Sequence, residues 1–400
     1  MKTPISTLAE GLRPSNVSSI LKAATNPELI SFAGGLPAMD LFPIAELRDA
    51  AERVISTHGA PALQYGASEG YTPLREYLAR HMRERGIECT ADEVFLTSGA
   101  QQALDLLTRI FLNPGDAVVV ETPTYLTAIR VFQAVGARMV AAPTDGDGIV
   151  VERLPELLER HRPKMLYTIP NFQNPTGVTL AAARRPVLAE LAARYGFVVV
   201  EDDPYGQIRY AGVDLPPVRA FDREGQVVYV GTLSKTVAPG LRVGWAVVEP
   251  SLFGHLIAMK QVEDTMSSTF DQRVAYEYLR TGASPAHVAR IREVYRTRYQ
   301  AMDAALAEHM PAGFTWTHPE GGLFLWVTGP EGLNTTTLLA EALARGVLYV
   351  PGEDFYPDAT GANTMRLSFS ASEPERIRSG IAILGGLCAD HAPTPARTGG

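Results

Sequence analysis

Between residues 93 and 248 the chain alternates short, valine-rich runs with stretches of helical periodicity, and this alternation restricts the fold more than any other feature. Apolar runs fall at 93–97, 117–120, 139–142, 165–169, 197–200, 227–230 and 243–248, while 100–112, 124–135 and 182–195 carry helical spacing between some of them. Short aliphatic runs without polar alternation are strands covered on both faces, and strands separated by helices pair in parallel. The expectation is an α/β fold on a mostly parallel sheet.

Upstream, 43–58 and 73–85 read as helices, the first opened by Pro43 and the second followed by Gly86. Downstream, 285–309 is a long, charged amphipathic helix leading into a smaller α+β section. That section has strands at 323–327, 347–350 and 365–368, and helices at 335–345 and from 374. The expected organisation is an N-terminal segment (1–45), a large domain (46–290), a small C-terminal domain (291–390) and a tail (391–400). The tail is rich in Pro, Thr and Gly and is expected to be disordered. A net charge of -8 argues against nucleic acid as a partner. Cys89 and Cys388 are the only cysteines, which fits a reducing compartment. No apolar run approaches the roughly 18 residues of a membrane span, so a cytoplasmic location is expected.

In open parallel sheets, ligands bind beyond the carboxyl ends of the strands. The polar outliers of this chain fall there: Ser98-Gly-Ala-Gln-Gln102, Glu121-Thr-Pro-Thr-Tyr125, Pro170-Asn-Phe-Gln-Asn-Pro-Thr-Gly177, Glu201-Asp-Asp-Pro-Tyr205 and Gly231-Thr-Leu-Ser-Lys235. Any one of these can be a solvated turn; five converging on one edge make a site. Lys235, flanked by Thr232 and Ser234 and followed by Arg242, suits attack of a desolvated amine on a carbonyl beside a phosphate. Small residues opening a helix at Ala100 and Gln101 favour an anion. Two other motifs carry less weight. Gly66-Ala-Ser-Glu-Gly70 matches a hydrolase elbow, but only a short segment containing Gln64 precedes it instead of a buried strand. Asp145-Gly-Asp-Gly148 lacks the remaining ligands of a calcium loop and reads as a hairpin turn. Nothing has the spacing of a metal site or a Walker loop.

With Ser31-Phe-Ala-Gly-Gly-Leu-Pro37, Leu63-Gln-Tyr-Gly66, Gly70-Tyr-Thr-Pro-Leu-Arg75 and Asn363-Thr-Met-Arg-Leu-Ser368, these runs resemble the class I and II aminotransferase family. Its members are fold-type I enzymes of pyridoxal 5'-phosphate. The resemblance runs from about residue 14 to 385 and is nearest the branch of 2-aminoadipate and kynurenine/aminoadipate aminotransferases. It implies a large cofactor-binding domain, a smaller α+β domain with the N-terminal segment packed on it, and a homodimer with shared sites. The implied reaction moves an amino group from an α-amino acid to a 2-oxo acid, with 2-oxoglutarate the expected acceptor. Elimination, replacement or carbon–carbon bond formation on the same cofactor is the alternative.

By the resemblance, Lys235 is the Schiff-base lysine and proton carrier, and Asp202 the partner of the pyridinium nitrogen. Tyr205 and Asn174 face the phenolic oxygen, and Tyr125 stacks on the ring. Ala100, Gln101, Thr232, Ser234 and Arg242 hold the phosphate, with Tyr65 reaching across to the partner subunit's. Arg366 clamps the substrate α-carboxylate against Gly34 and Gly35. Two departures follow. Ala100 stands where relatives often carry a hydroxyl. Ser15-Asn-Val-Ser18 stands where relatives read Ser-x-Ile-Arg, so Ser18 replaces an arginine that serves acidic side chains. Arg13 is near in sequence.

Overall fold

The computed structural model describes residues 28–391, with short pieces at 4–6, 8, 9 and 26. Arg13, Ser15, Ser18 and residues 392–400 lie outside the described residues. After a two-residue strand, β1 (Ile30–Ser31), the large sheet takes β2 (Val94–Thr97), β3 (Ala117–Thr122), β4 (Arg138–Asp145), β5 (Gly148–Ile149), β6 (Met165–Thr168), β7 (Val198–Asp202), β8 (Val227–Thr232) and β9 (Gly244–Val247). Their order is β2-β9-β8-β7-β6-β3-β4-β5.

The aliphatic runs became strands because both faces are covered: every residue of β2, β6, β8 and β9 is buried. β8, β7, β6, β3 and β4 are mutually parallel. β9 runs antiparallel to both its neighbours, β2 and β8. Run 243–248 therefore brings its beginning, not its end, to the polar edge: Gly244 pairs with Thr97 on one side and Thr232 on the other. That reversal puts Arg242 beside the ends of β2 and β8. β4 and β5 form the expected hairpin across Asp145-Gly-Asp-Gly148, and Arg184 fastens Asp145 through two bonds of 2.6 and 2.7 Å.

A second, antiparallel sheet has the order β10 (Thr315–Trp316), β11 (Phe324–Thr328), β14 (Thr364–Ser368), β13 (Val350–Pro351). The expected strand 347–350 is two strands with different partners. β12 (Val347–Leu348) pairs in parallel with β1, whereas β13 (Val350–Pro351) pairs with β14 (Thr364–Ser368). Tyr349, between them, is buried and donates its hydroxyl to Thr335 O at 2.6 Å. The chain at 30–33 is thus laced to this region, with Ser368 N donating to Phe32 O at 2.8 Å.

Helices at Ile44–Leu63, Thr72–Glu84, Ala100–Phe111, Leu126–Ala134, Arg184–Tyr195, Ser284–His309, Thr335–Ala344 and Pro374–His391 match the periodic stretches. Those at Leu154–His161, Pro250–Glu263 and Thr269–Leu279 were not expected. Pro250–Glu263 has apolar residues spread around it; it buries Leu256 and Lys260 while Val262 stands exposed, so periodicity had little to register. His391, placed in the tail by the sequence, instead closes the last helix, its Nε2 3.1 Å from Glu341 Oε2.

Gly244 is where the sheet and the helix at Ala100–Phe111 touch. A Cβ there would lie 2.5 Å from Gly99 C and 2.6 Å from Ala100 N, both backbone atoms that cannot swing away. Gly244→Ala should therefore lower the unfolding free energy by about 1–3 kcal/mol through overpacking. Urea titration measures it, and an unchanged midpoint would show that the helix start has room to move.

Candidate active site

At the end of β7 three consecutive acids are buried, and the pleat separates them. Successive side chains of a strand point to opposite faces, so Asp202 faces away from Glu201 and Asp203. Glu201 accepts the amides of Val218 and Arg219, each at 2.8 Å. Asp203 accepts Arg85 Nη2 at 2.6 Å, Asn171 Nδ2 at 2.9 Å and Gly206 N at 2.9 Å. Burial raises the Asp203 pKa, but Arg85 and Asn171 outweigh that and leave it below the ordinary value. Asp202 has much less. Tyr167 Oη donates to its Oδ2 at 2.8 Å, while Oδ1 is buried with no hydrogen-bond partner among the described residues. Burial, opposed by Tyr167 and Lys235 and aided by Asp203, pushes the Asp202 carboxyl up to about 7.

Lys235 follows β8 in a turn held by Thr232: Ser234 N donates to Thr232 Oγ1 at 3.1 Å, and that oxygen lies 3.0 Å from Val243 O. Lys235 Nζ donates to Gly35 O at 2.9 Å. Burial, with Arg366 and Arg242 nearby and Asp202 opposing, lowers its pKa from 10.5 to about 8. The amine is thus set to be free at mildly alkaline pH.

Two cations flank it. Arg242 takes a left-handed backbone (φ 52°) and donates to Ser98 O at 2.9 Å. Its guanidinium lies 2.6 Å from where a Cβ on Gly99 would sit, and the left-handed backbone of Gly99 disfavours a side chain there. Gly99 (φ 85°) also opens the helix at Ala100, where no side chain caps the terminus. The Ala100 and Gln101 amides precede the first internal bond of that helix, an arrangement that receives anions. Arg366, on β14, is buried; it donates to Asn174 Oδ1 at 2.8 Å and Ala33 O at 2.5 Å. The rings of Phe324 and Phe355 lie 4.3 and 5.1 Å from its guanidinium carbon. It makes no ion pair among the described residues, and its Nε has no partner. Burial lowers its pKa to about 10, with Tyr205 and Tyr125 opposing.

These groups share one cavity of about 270 Å³. Its lining includes Gly35, Ala100, Gln101, Tyr125, Asn174, Asp202, Tyr205, Thr232, Ser234, Lys235, Arg242 and Arg366. Gly34 and Tyr65 are not in the lining; Gly34 is buried one residue back and Tyr65 is 78% exposed. Ser68, of the hydrolase-like motif, is buried outside it as well. Among the described residues no cluster of His, Cys, Asp or Glu can hold a metal.

Sequence reasoning missed Tyr167 and Phe324. Tyr167 sits in an otherwise apolar run, and a lone phenol in a buried strand was the available signal. Phe324 touches Gly35: a Cβ on that glycine would meet the ring at 2.6 Å. That contact joins β11 to the N-terminal loop, a tertiary relation no local pattern carries.

A cavity with an amine, an unsatisfied carboxylate, an anion-receiving helix start and an unpaired guanidinium matches the pyridoxal-phosphate aminotransferases. The aminotransferase class I and II profile covers residues 28–384, and the chain belongs to that family. The aromatic-amino-acid aminotransferase 1 of Thermococcus litoralis is 46% identical, covering 93% of this chain and 91% of that protein. A kynurenine aminotransferase of Pyrococcus horikoshii, solved with PMP, superposes with a TM-score of 0.94 at 43% identity over 98% of each chain. An α-aminoadipate aminotransferase of Thermus thermophilus, complexed with N-(5'-phosphopyridoxyl)-L-leucine, gives 0.90 at 38% identity over 96% and 97%. Pyridoxal 5'-phosphate is the cofactor, and amino transfer between an amino acid and a 2-oxo acid is the chemistry. The residues present fit it: Asp202 Oδ1 lacks a donor, and a protonated ring nitrogen is one.

The depressed Lys235 pKa has a direct consequence. In cofactor-free protein, acetylation of Lys235 followed by mass spectrometry should reach half its maximal rate near pH 8. A half-maximum above 10 would show the ammonium to be solvated.

Proposed function

We propose that this aminotransferase takes α-amino acids with apolar or aromatic side chains and uses 2-oxoglutarate as acceptor. One observation carries the reading. Arg366 is buried at the cavity and makes no ion pair among the described residues, which leaves it for an α-carboxylate, and the cavity lining also includes Leu36, Leu126, Tyr125, Ile169 and Phe324. Ser18 in place of arginine and the 46% identity to an aromatic-amino-acid aminotransferase agree with it.

Bound, the cofactor supplies a carbonyl that takes up the amino group and a ring that accepts the electron pair released at Cα. Asp202 Oδ1 would accept the ring N–H, and its charge would keep that proton in place. Tyr205 and Asn174 would donate to the phenolic oxygen, with Tyr125 against the ring. The Ala100 and Gln101 amides, the Thr232 and Ser234 hydroxyls and Arg242 would hold the phosphate. Arg366 would orient the substrate through its carboxylate, with Gly34 and Gly35 alongside. Lys235 Nζ, as a free amine, would carry the Cα proton.

The assembly is read as a homodimer with Tyr65 reaching the partner's phosphate. Supporting this, Met39, Ile44, Leu63 and Tyr65 are 80, 66, 69 and 78% exposed, an unusual amount of apolar surface in a short stretch of chain. The division into large and small domains with a laced N-terminal segment follows the two sheets. A cytoplasmic location agrees with two buried free cysteines and with no described helix long and apolar enough to cross a membrane.

Chromatography of a loaded enzyme given one amino acid and 2-oxoglutarate tests the reading. Glutamate should appear in step with the donor's 2-oxo acid, with kcat/KM for phenylalanine above that for 2-aminoadipate. A preference for 2-aminoadipate, or no glutamate, refutes the assignment. Arg366→Ala should raise KM about 100-fold by removing one partner of a desolvated pair, and Arg366→Lys should recover only part of it.

A further inference from the structure

Asp202 is held by a residue that does not touch the cavity. Tyr167 lies in β6 opposite Val200 of β7, so its side chain shares a face with Asp202, two residues further along. The phenol is fully buried, its ring edge-on to Phe132 at 5.8 Å, and it is absent from the cavity lining. Its hydroxyl meets Oδ2 alone. The other donors nearby serve Asp203, which faces the opposite way and is met by Arg85, Asn171 and the Tyr229 hydroxyl. Burial and the adjacent Asp202 raise the Tyr167 pKa well above 10, so the phenol keeps its proton and remains a donor.

We infer that Tyr167 is a positioning residue for the cofactor: by engaging Oδ2 it fixes the rotamer of Asp202 and presents Oδ1 to the ring nitrogen. Tyr167 also favours the ionised carboxylate, since a hydrogen bond to the charged form stabilises that form. Without it, both carboxylate oxygens are buried and bare, and the group can rotate or protonate. The inference rests on the assignment of Asp202 to the ring nitrogen, and the test separates the two.

Tyr167→Phe keeps the ring and its packing and removes the one donor. The probes are pyridoxal 5'-phosphate and its analogue with carbon in place of the ring nitrogen, each loaded on wild type, Tyr167→Phe and Asp202→Asn. The readout is the rate at which bound cofactor is lost during chase with excess free aldehyde trap. Tyr167→Phe should lose pyridoxal phosphate roughly tenfold faster than wild type, the scale of one hydrogen bond to a charged group. The analogue should leave both proteins at similar rates, because it has no ring nitrogen for Asp202 to hold. If Tyr167→Phe releases both probes faster alike, or neither, while Asp202→Asn discriminates between them, Tyr167 has no such role and the Asp202 assignment stands. If Asp202→Asn does not discriminate either, that assignment fails and the inference falls with it.

Discussion

Asp202, Lys235 and Arg366 are gathered around one cavity without neutralising one another, and much of the surrounding structure exists to tolerate that. A buried ion without a full partner costs several kcal/mol even after the protein relaxes. The shifts register this cost: Lys235 down to about 8, Asp202 up to about 7 and Arg366 down to about 10. Each moves towards its neutral form, and desolvation is the leading cause in all three. A ligand bringing a cationic ring, an anionic phosphate and a carboxylate-bearing substrate relieves these groups. The folded state is then stabilised by binding, because the unfolded chain offers no such arrangement.

The sheet makes the arrangement possible by mixing directions. Five strands present their carboxyl ends to the site, while β9, wedged antiparallel between β2 and β8, presents its amino end. Arg242, two residues before it, arrives next to the opening of the helix at Ala100, and two glycines make the approach possible. Gly99 yields space to the guanidinium, and Gly244 yields space to the helix backbone. Arg366 comes from the other sheet, and the N-terminal loop bridges the two: Ala33 O accepts from Arg366 and Gly35 O from Lys235. Lys235 and Arg366 are therefore anchored to adjacent stretches of one loop.

How much of this was legible depends on the range of the interaction. Aliphatic strands and their polar ends could be read because burial on two faces writes a local pattern. Asp202 and Thr232 end such strands, and Ser234 and Lys235 follow within three residues. The direction of β9 could not be read, since parallel and antiparallel strands have the same composition when both faces are covered. The split at Tyr349 was hidden for a similar reason: one apolar run serves two sheets, and only its partners distinguish the halves. Of the acids at 201–203, period-two alternation pairs Glu201 with Asp203 and sets Asp202 apart. Which of those faces meets the cavity depends on Arg85 and Tyr167, remote in sequence.

A phenol behind Asp202 suits the role proposed for that carboxylate. An arginine or lysine at the Tyr167 position would hold Asp202 ionised more strongly, as Arg85 does for Asp203. It would also satisfy the negative charge, leaving less of it to keep a proton on a ring nitrogen at Oδ1. A neutral donor takes one lone pair and leaves the net charge in place. It also adds no cation to a pocket where Arg366 and Arg242 already bear on Lys235. An aliphatic residue would leave a second bare oxygen and push the carboxyl towards neutrality. Between a full ion pair, which spends the charge inside the protein, and no partner, which loses it to a proton, a single neutral hydrogen bond opposes burial while leaving the carboxyl at about 7, where an arriving cation completes its ionisation.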